Sequence, residues 1–331
     1  MTLRTAGPVI AVAALTLALP PALSSKQLSI YILLGLAALV TLGLSLLLGF
    51  AGQVSLGQAS FSCIGGYTAG LLAVHGLPSM AGLLAAPVVA ALFATLVGIP
   101  LLRLRGHALA FATLAMQLIL LSLLSQADWA GGAIGLQGVP RLSIGGLEFA
   151  EDLSYAYLTW GAVAVALLLA RNIVASRTGR GLRALATSEV AAAASGVPVG
   201  RYRLAVFALS AGFAGLAGGI YAFYLGYLSP GSFPVLLSIE YVVMAVVGGL
   251  GTLWGPLIGA AGIVLLVQVL NTLGTQPGMP SYAPSVLSYA VYAALLVLVV
   301  LFLPRGLAPV PRELAARWRG ASSKPSLQEA P

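Results

Sequence analysis

Long apolar runs separated by short polar turns dominate the chain from residue 7 to residue 303. A helix that crosses a bilayer needs about 20 apolar residues at 1.5 Å rise each. Ten stretches meet or approach that length: 7–24, 28–48, 52–74, 80–102, 107–126, 154–172, 203–226, 236–251, 255–273 and 285–303. The pattern predicts an all-α polytopic membrane protein of about ten transmembrane helices. The first run also carries marks of a cleaved signal peptide, with Arg4 ahead of it and Pro20 and Pro21 near its end; its length favours a retained span.

Two glycine-rich stretches interrupt the apolar pattern, GFAGQVSLGQASFSCIGGYTAG at 49–70 and VVGGLGTLWGPLIGAAG at 246–262. Irregular backbone at membrane depth is tolerated only where protein buries it or where it lines a water-filled cavity. Paired interruptions in two halves of a transporter point to its pathway and to an internal repeat. Glycines at helical spacing also let helices approach closely, which is the expected use of Gly65, Gly66, Gly215, Gly218 and Gly219. Gln53, Ser55, Gln58 and Ser60 must find partners away from lipid, either along a pathway or between helices. Thr113 and Gln117 lie one helical turn apart and offer the same two uses. Glu240 is the one acid within an expected span. An intramembrane acid is costly and marks function by default, although Glu240 lies within two turns of its helix's outer end, where an interfacial or structural role also fits.

The strongest break in the pattern is RNIVASRTGRGLRALATSEVAAAASGVPVGRYR, residues 171–203, with six arginines and one acid, Glu189. It predicts a short amphipathic helix from about Gly181 to Ser195, stopped by Gly196 and Pro198, lying on the membrane surface. With ten spans and the N-terminus inside, fourteen of the sixteen basic residues fall in cytoplasmic segments, leaving only Lys26 and Arg141 outside. The longest outer loop, 127–153, carries Asp128, Glu148, Glu151 and Asp152 instead. This bias satisfies the positive-inside rule and places both termini in the cytoplasm. Residues 1–304 then form one transmembrane permease-like domain and 305–331 a short basic cytoplasmic tail.

Composition narrows the function. Only 7% of residues are charged against 60% hydrophobic, where a soluble domain carries about 25% charged. The net charge of +8 fits membrane orientation and not nucleic acid, since the basic residues are not interleaved with exposed aromatics. The single cysteine, Cys63, offers no disulfide framework. His75 and His107 are not spaced with other ligands as a metal site requires. No G-x-x-x-x-G-K-[ST] occurs, so the chain lacks a P-loop for ATP, and no nucleophile elbow or metalloprotease motif is present. A transporter this poor in intramembrane charge takes its energy from elsewhere.

Seven segments in order, GFAGQVSLGQASF (49–61), LRLRGHALAFATLA (102–115), GGAIGL (131–136), SRTGRGLRAL (176–185) with EVAAAASGV (189–197), LSAGFAGLAGGIYA (209–222), SIEYVVMAVVGGLGTLWGPLIGA (238–260) and FLPRGL (302–307), resemble the LivM-type permeases of bacterial ABC importers for branched-chain amino acids. The resemblance covers about residues 30–310. It implies a bacterial inner-membrane location, a surrounding of membrane lipid and no enzymatic chemistry or cofactor of the chain's own. It further implies a second permease forming a heterodimer, two cytoplasmic ABC ATPase subunits that bind the ATP, and a periplasmic substrate-binding protein. In such importers a short cytoplasmic helix with a Glu-Ala-Ala core seats on the ATPase, and Glu189, Ala191, Ala192 and Gly196 match that position, with Arg177, Arg180 and Arg183 just before it. Gln53, Ser55, Gln58, Thr113, Gln117 and Glu240 would then line the pathway. The chain departs from its relatives at Ala186, Thr187 and Ser188, where they carry a run rich in Arg and Glu, and at Ala108, Gln117 and Ala130; the passenger could therefore differ from leucine, isoleucine or valine. A stand-alone ion-coupled transporter or channel is the alternative class.

Overall fold

The computed structural model describes residues 19–274 apart from 145, 146 and 150, together with the isolated positions Ala290 and Ala294. The expected span 285–303, the tail from 305, and all but the last residues of the span 7–24 lie outside them. Helix α1 (Ser25–Ser45) opens with a capping box in which Gln27 Oε1 accepts from the Ser24 amide at 3.0 Å, and it continues as a π-helical turn over Leu46–Phe50. There follow α2 (Gln58–Val74), α3 (Ser79–Leu101), α4 (His107–Gln126), α5 (Asp152–Ala175), α6 (Arg177–Thr187), α7 (Glu189–Ala194), α8 (Val199–Leu225), α9 (Val235–Gly248) and α10 (Gly255–Gly274). Pro78, Pro198 and Pro234 stand immediately before α3, α8 and α9, and Gly226 ends α8 in the left-handed region at φ 73°.

Among the described residues seven helices are long and apolar enough to cross a membrane. The expected span 52–74 is different: residues 52–57 are not helical, and α2 has only 17 residues. Gly52 takes φ 65° there, and the Leu56 and Gly57 amides donate to the hydroxyls of Thr113 and Ser55, not to a helical ladder. A two-residue hairpin, β1 (Ser143–Ile144) with β2 (Leu147–Glu148), is the exception to the all-α expectation.

Burial separates the helices. Of the most apolar window of α1, 83% is buried, against 28% for α4. Helix α1 is therefore the bundle's centre, while α3 and α4 turn Leu92, Leu96, Phe111 and Leu123 outward. Helices α2, α3 and α8 pack closest together. An added Cβ at Gly65 would collide with the Gly215 backbone, and one at Gly218 with the Ser62 carbonyl. The expected packing role of these glycines is thus borne out. Close approach is the main source of attraction between helices in lipid, where the hydrophobic effect is absent.

The two ends of the bundle differ in charge. At one end the 127–151 loop is tied down by paired Leu136–Leu228 backbone bonds at 2.7 and 2.9 Å and by the Ser143 amide donating to Ser79 Oγ at 2.8 Å. Tyr155 Oη adds a crosslink, accepting from the Leu142 amide and donating to the Phe223 carbonyl. The other end gathers the 102–106 turn, α6, α7 and the π-helical turn. Arg103, Arg105, Arg177, Arg180 and Arg183 all belong to it, the end that the positive-inside rule assigns to the cytoplasm.

Candidate functional site

The two glycine-rich interruptions meet. Gly49 lies so close to Leu250 and Gly251 that an added Cβ would strike the Gly251 amide nitrogen. Gly251 is held at φ 73° and Gly249 at φ 109°, so this contact is built from backbone that other residues rarely adopt. Segments nearly 200 residues apart in sequence thus form one seam at the cytoplasmic end.

Above the seam the polar residues named from the sequence are gathered in one buried cluster. Gln53, Ser55, Gln58, Thr113 and Gln117 are all buried. Thr113 Oγ1 accepts from the Leu56 amide at 2.9 Å, which satisfies the non-helical segment before α2. Gln58 Nε2 donates to Ser210 Oγ at 3.1 Å. Ser238 Oγ accepts from the Ala59 amide at 2.9 Å and donates to Gln117 Oε1 at 2.7 Å, while Gln117 Nε2 donates to the Phe233 carbonyl. Four helices are thereby joined through side chains at membrane depth, where an unmade hydrogen bond is expensive. The amide oxygens of Gln53 and Gln58 are buried without a donor among the described residues.

A cavity of about 370 Å³ opens beside this cluster, between α1, α8, α9 and α10. That volume is at the low end of ligand pockets and suits a small solute. Its walls are mostly apolar, with Leu33, Leu36, Leu237 and Val264 among them, and Tyr221 packs edge-on against Phe233 with ring centroids 5.7 Å apart. Ser62 and Phe233 belong both to the cavity wall and to the elements of the polar cluster. Of the residues expected to line a pathway, Glu240 is in the cavity wall; Gln53, Ser55, Gln58, Thr113 and Gln117 are in the cluster. Glu240 is the only charged side chain among the described lining residues, and no arginine, lysine or histidine pairs with it among the described residues.

The arginine-rich segment forms an elbow, not the single helix expected over Gly181–Ser195. Ser188 is extended and breaks the chain into α6 and α7, its Oγ accepting from the Ala191 amide at 3.3 Å as an N-cap. The serine supplies a start signal in the middle of what otherwise reads as one helix. Gly196 ends α7 at φ 78°, with the Val197 amide bonded to the Ala192 carbonyl across the turn, an arrangement that favours glycine. Leu182, Leu185 and Ala192 are buried, while Arg177, Arg180, Arg183, Ala191 and Gly196 are exposed and Val190 stands 80% exposed. Helix α6 packs against the π-helical turn, and Ala186 sits beside Gly52. Glu189 faces inward: both its oxygens accept from the Arg203 guanidinium, at 3.2 and 3.0 Å, and Arg105 approaches to 3.2 Å.

Comparison with known proteins gives this geometry a setting. The family described as "Branched-chain amino acid transport system / permease component" matches residues 27–300, which contain every helix described above apart from the first two residues of α1. The chain belongs to this permease family. It is 30% identical over 318 residues to the high-affinity branched-chain amino acid transport system permease protein LivM of Escherichia coli, a match covering 88% of this chain and 71% of that protein. The LivM protein of Salmonella typhimurium is 30% identical over 308 residues, covering 86% of this chain and 68% of that one. No solved structure matches the chain. Proteins of this family are transport permeases and not enzymes, and the chain is a multi-pass membrane protein.

The permease also uses residues that the sequence reading passed over. Ser210 and Ser238 complete the buried cluster, and Tyr221, Tyr241 and Gln268 line the cavity. Ser238 had one available signal, since it stands two residues before Glu240 at the start of the same helix. Arg203 had none: fourteen residues separate it from the acid it binds.

Proposed function

We propose that this permease is the transmembrane subunit of an ABC importer that moves branched-chain amino acids, or a related small amphipathic solute, inward across the bacterial inner membrane. The observation that carries the reading is the match to branched-chain amino acid permeases along nearly the whole chain. ATP is hydrolysed by two cytoplasmic ATPase subunits, the second half of the pathway comes from another permease subunit, and a periplasmic binding protein delivers the solute. The chain binds no cofactor and no nucleic acid.

The geometry supports this division of labour. The cavity is small and apolar, with one carboxylate, so it suits a solute that joins an apolar body to an ammonium or other strong donor. The polar cluster of Gln53, Ser55, Gln58, Thr113 and Gln117 lies beside that cavity and shares Phe233 with it, so that a rearrangement would expose amide and hydroxyl groups to a passing solute. Alternating access in transporters is largely rigid-body rocking about such a site. The exposed arginines and Val190, Ala191 and Gly196 form the face that docks on the ATPase.

The decisive experiment purifies the tagged chain from its own membranes in mild detergent, identifies its partners, and reconstitutes the complex in vesicles. Recovery of two ATPase subunits and a second permease, with labelled leucine uptake that needs both ATP and a loaded binding protein, is the expected result. Uptake by the chain alone, driven by an ion gradient, would replace the importer with a self-contained transporter.

A further inference from the structure

The single acid of the docking elbow is already occupied by the chain's own arginines. Glu189 is the first residue of α7, and its two oxygens meet the two terminal nitrogens of Arg203 in a paired, parallel contact, the geometry in which a guanidinium binds a carboxylate most strongly. Arg105 contacts one of the same oxygens from the turn that follows α3. Glu189 and Arg203 lie fourteen positions apart on α7 and α8, while Arg105 comes from a turn remote in sequence.

Their environments are unequal. The side chain of Arg203 is 17% exposed and that of Glu189 is 28% exposed, whereas Arg105 is 74% exposed. The Arg203–Glu189 pair is therefore partly withdrawn from water and resists screening, while Arg105 contributes a weaker, salt-sensitive arm. The Nε of Arg203 is buried with no acceptor among the described residues, so the carboxylate is the partner that holds this guanidinium in place.

What the pair connects gives it a consequence. Arg203 lies near the cytoplasmic start of α8, the helix packed most extensively against α2 and α3. Glu189 lies in the elbow, whose other arm, α6, rests on the π-helical turn beside the glycine seam. We infer that Arg105, Glu189 and Arg203 form a mechanical joint that delivers movement of the elbow to α8 and α3, and that Glu189 acts inside the permease and not as a contact for the ATPase. The inference rests on the importer reading for the source of the movement. It departs from the expectation that Glu189 fixes the docking register. With both oxygens of Glu189 engaged by arginines, residues 171–203 offer the partner no unpaired carboxylate.

The test compares Arg203→Gln, Glu189→Arg, and the paired exchange E189R with R203E in the purified complex. Arg203→Gln should leave the recovery of ATPase subunits per permease unchanged while lowering solute uptake per complex at least about tenfold, the scale of one lost hydrogen-bonded charge pair. The paired exchange should regain uptake above Glu189→Arg alone, which assigns the loss to the broken charge pair and not to the substituted side chain itself. A second readout is independent of partners: in the chain alone in detergent, Arg203→Gln should speed tryptic cleavage at Arg177, Arg180 and Arg183 as the elbow loosens. Wild-type uptake in Arg203→Gln would overturn the joint, as would a loss of uptake matched by an equal loss of bound ATPase, which would return Glu189 to docking. Failure of the wild-type chain to recover any ATPase would sink the importer reading instead. The cleavage rates would then judge the joint, and unchanged rates would reject it.

Discussion

Two glutamates sit at opposite regions of this permease in opposite circumstances. Glu189, at the cytoplasmic elbow, is gripped by Arg203 and Arg105. Glu240, in the cavity wall, has no cationic side chain paired with it among the described residues. A carboxylate withdrawn from water is costly unless something compensates it. At the elbow the protein supplies the compensation itself, and the result is a fixed structural connection. In the cavity no described cationic side chain does so, and on the proposed function the carboxylate is left for a transient visitor carrying a positive or strongly donating group. The difference teaches that an acid's role follows from which charges the fold brings to it.

The comparison can be broken most severely at the elbow. Glu189→Arg replaces the shared acid with a third cation among arginines, and uptake should fall about 100-fold or more, since removing one partner of a partly buried pair costs roughly 2–5 kcal/mol. The amount of protein in the membrane fraction should stay the same; normal uptake would remove Glu189 from both docking and the joint. In the cavity, Glu240→Gln keeps shape and polarity but discards the charge. Uptake should drop about tenfold, with ATPase recovery and tryptic cleavage at the elbow unchanged. If cleavage also accelerated, the two acids would not be functionally separate.

Between the two acids, Gln117→Leu strips the partner from Ser238 and from the Phe233 carbonyl. The unfolding midpoint in detergent should fall by the equivalent of about 1–3 kcal/mol, and an unchanged midpoint would mean that the cluster adds nothing to stability. The smallest effect is expected for Arg105→Ala. That side chain is 74% exposed, so solvent screening limits its pairing to about 0–1 kcal/mol. Raising the salt concentration should erase even that difference in midpoint, leaving the Arg203 contribution behind.

Much of this was legible in the chain. The spans from 80–102 through 255–273 were visible because a bilayer demands long apolar runs, and the gathering of the loop arginines at one end because arginine clusters in the loops of one side. The crowding of Gly65 and Gly218 could be anticipated from small residues at helical spacing. The break at Ser188 was not, because helix periodicity continues through it and only the serine's capping geometry stops it. The beginning of α2 was misplaced because residues 52–57 lie inside a long run of mainly uncharged residues, yet the Leu56 amide is satisfied by Thr113 and not by a helical ladder.

By itself, then, the sequence determined a multi-pass helical permease, its arginine-rich face and the polar residues that needed partners, since each of these follows from local composition against a bilayer. Tertiary structure decided which partners those residues found. It joined two glycine-rich breaks at Gly49 and Gly251, drew Gln58, Ser210, Ser238 and Gln117 into one cluster, and gave Glu189 two arginines and Glu240 none among the described residues. The reason is physical. Hydrophobic patterning is a property of consecutive residues, whereas the pairing of buried polar and charged groups depends on which helices lie side by side, and that is fixed only when the bundle packs.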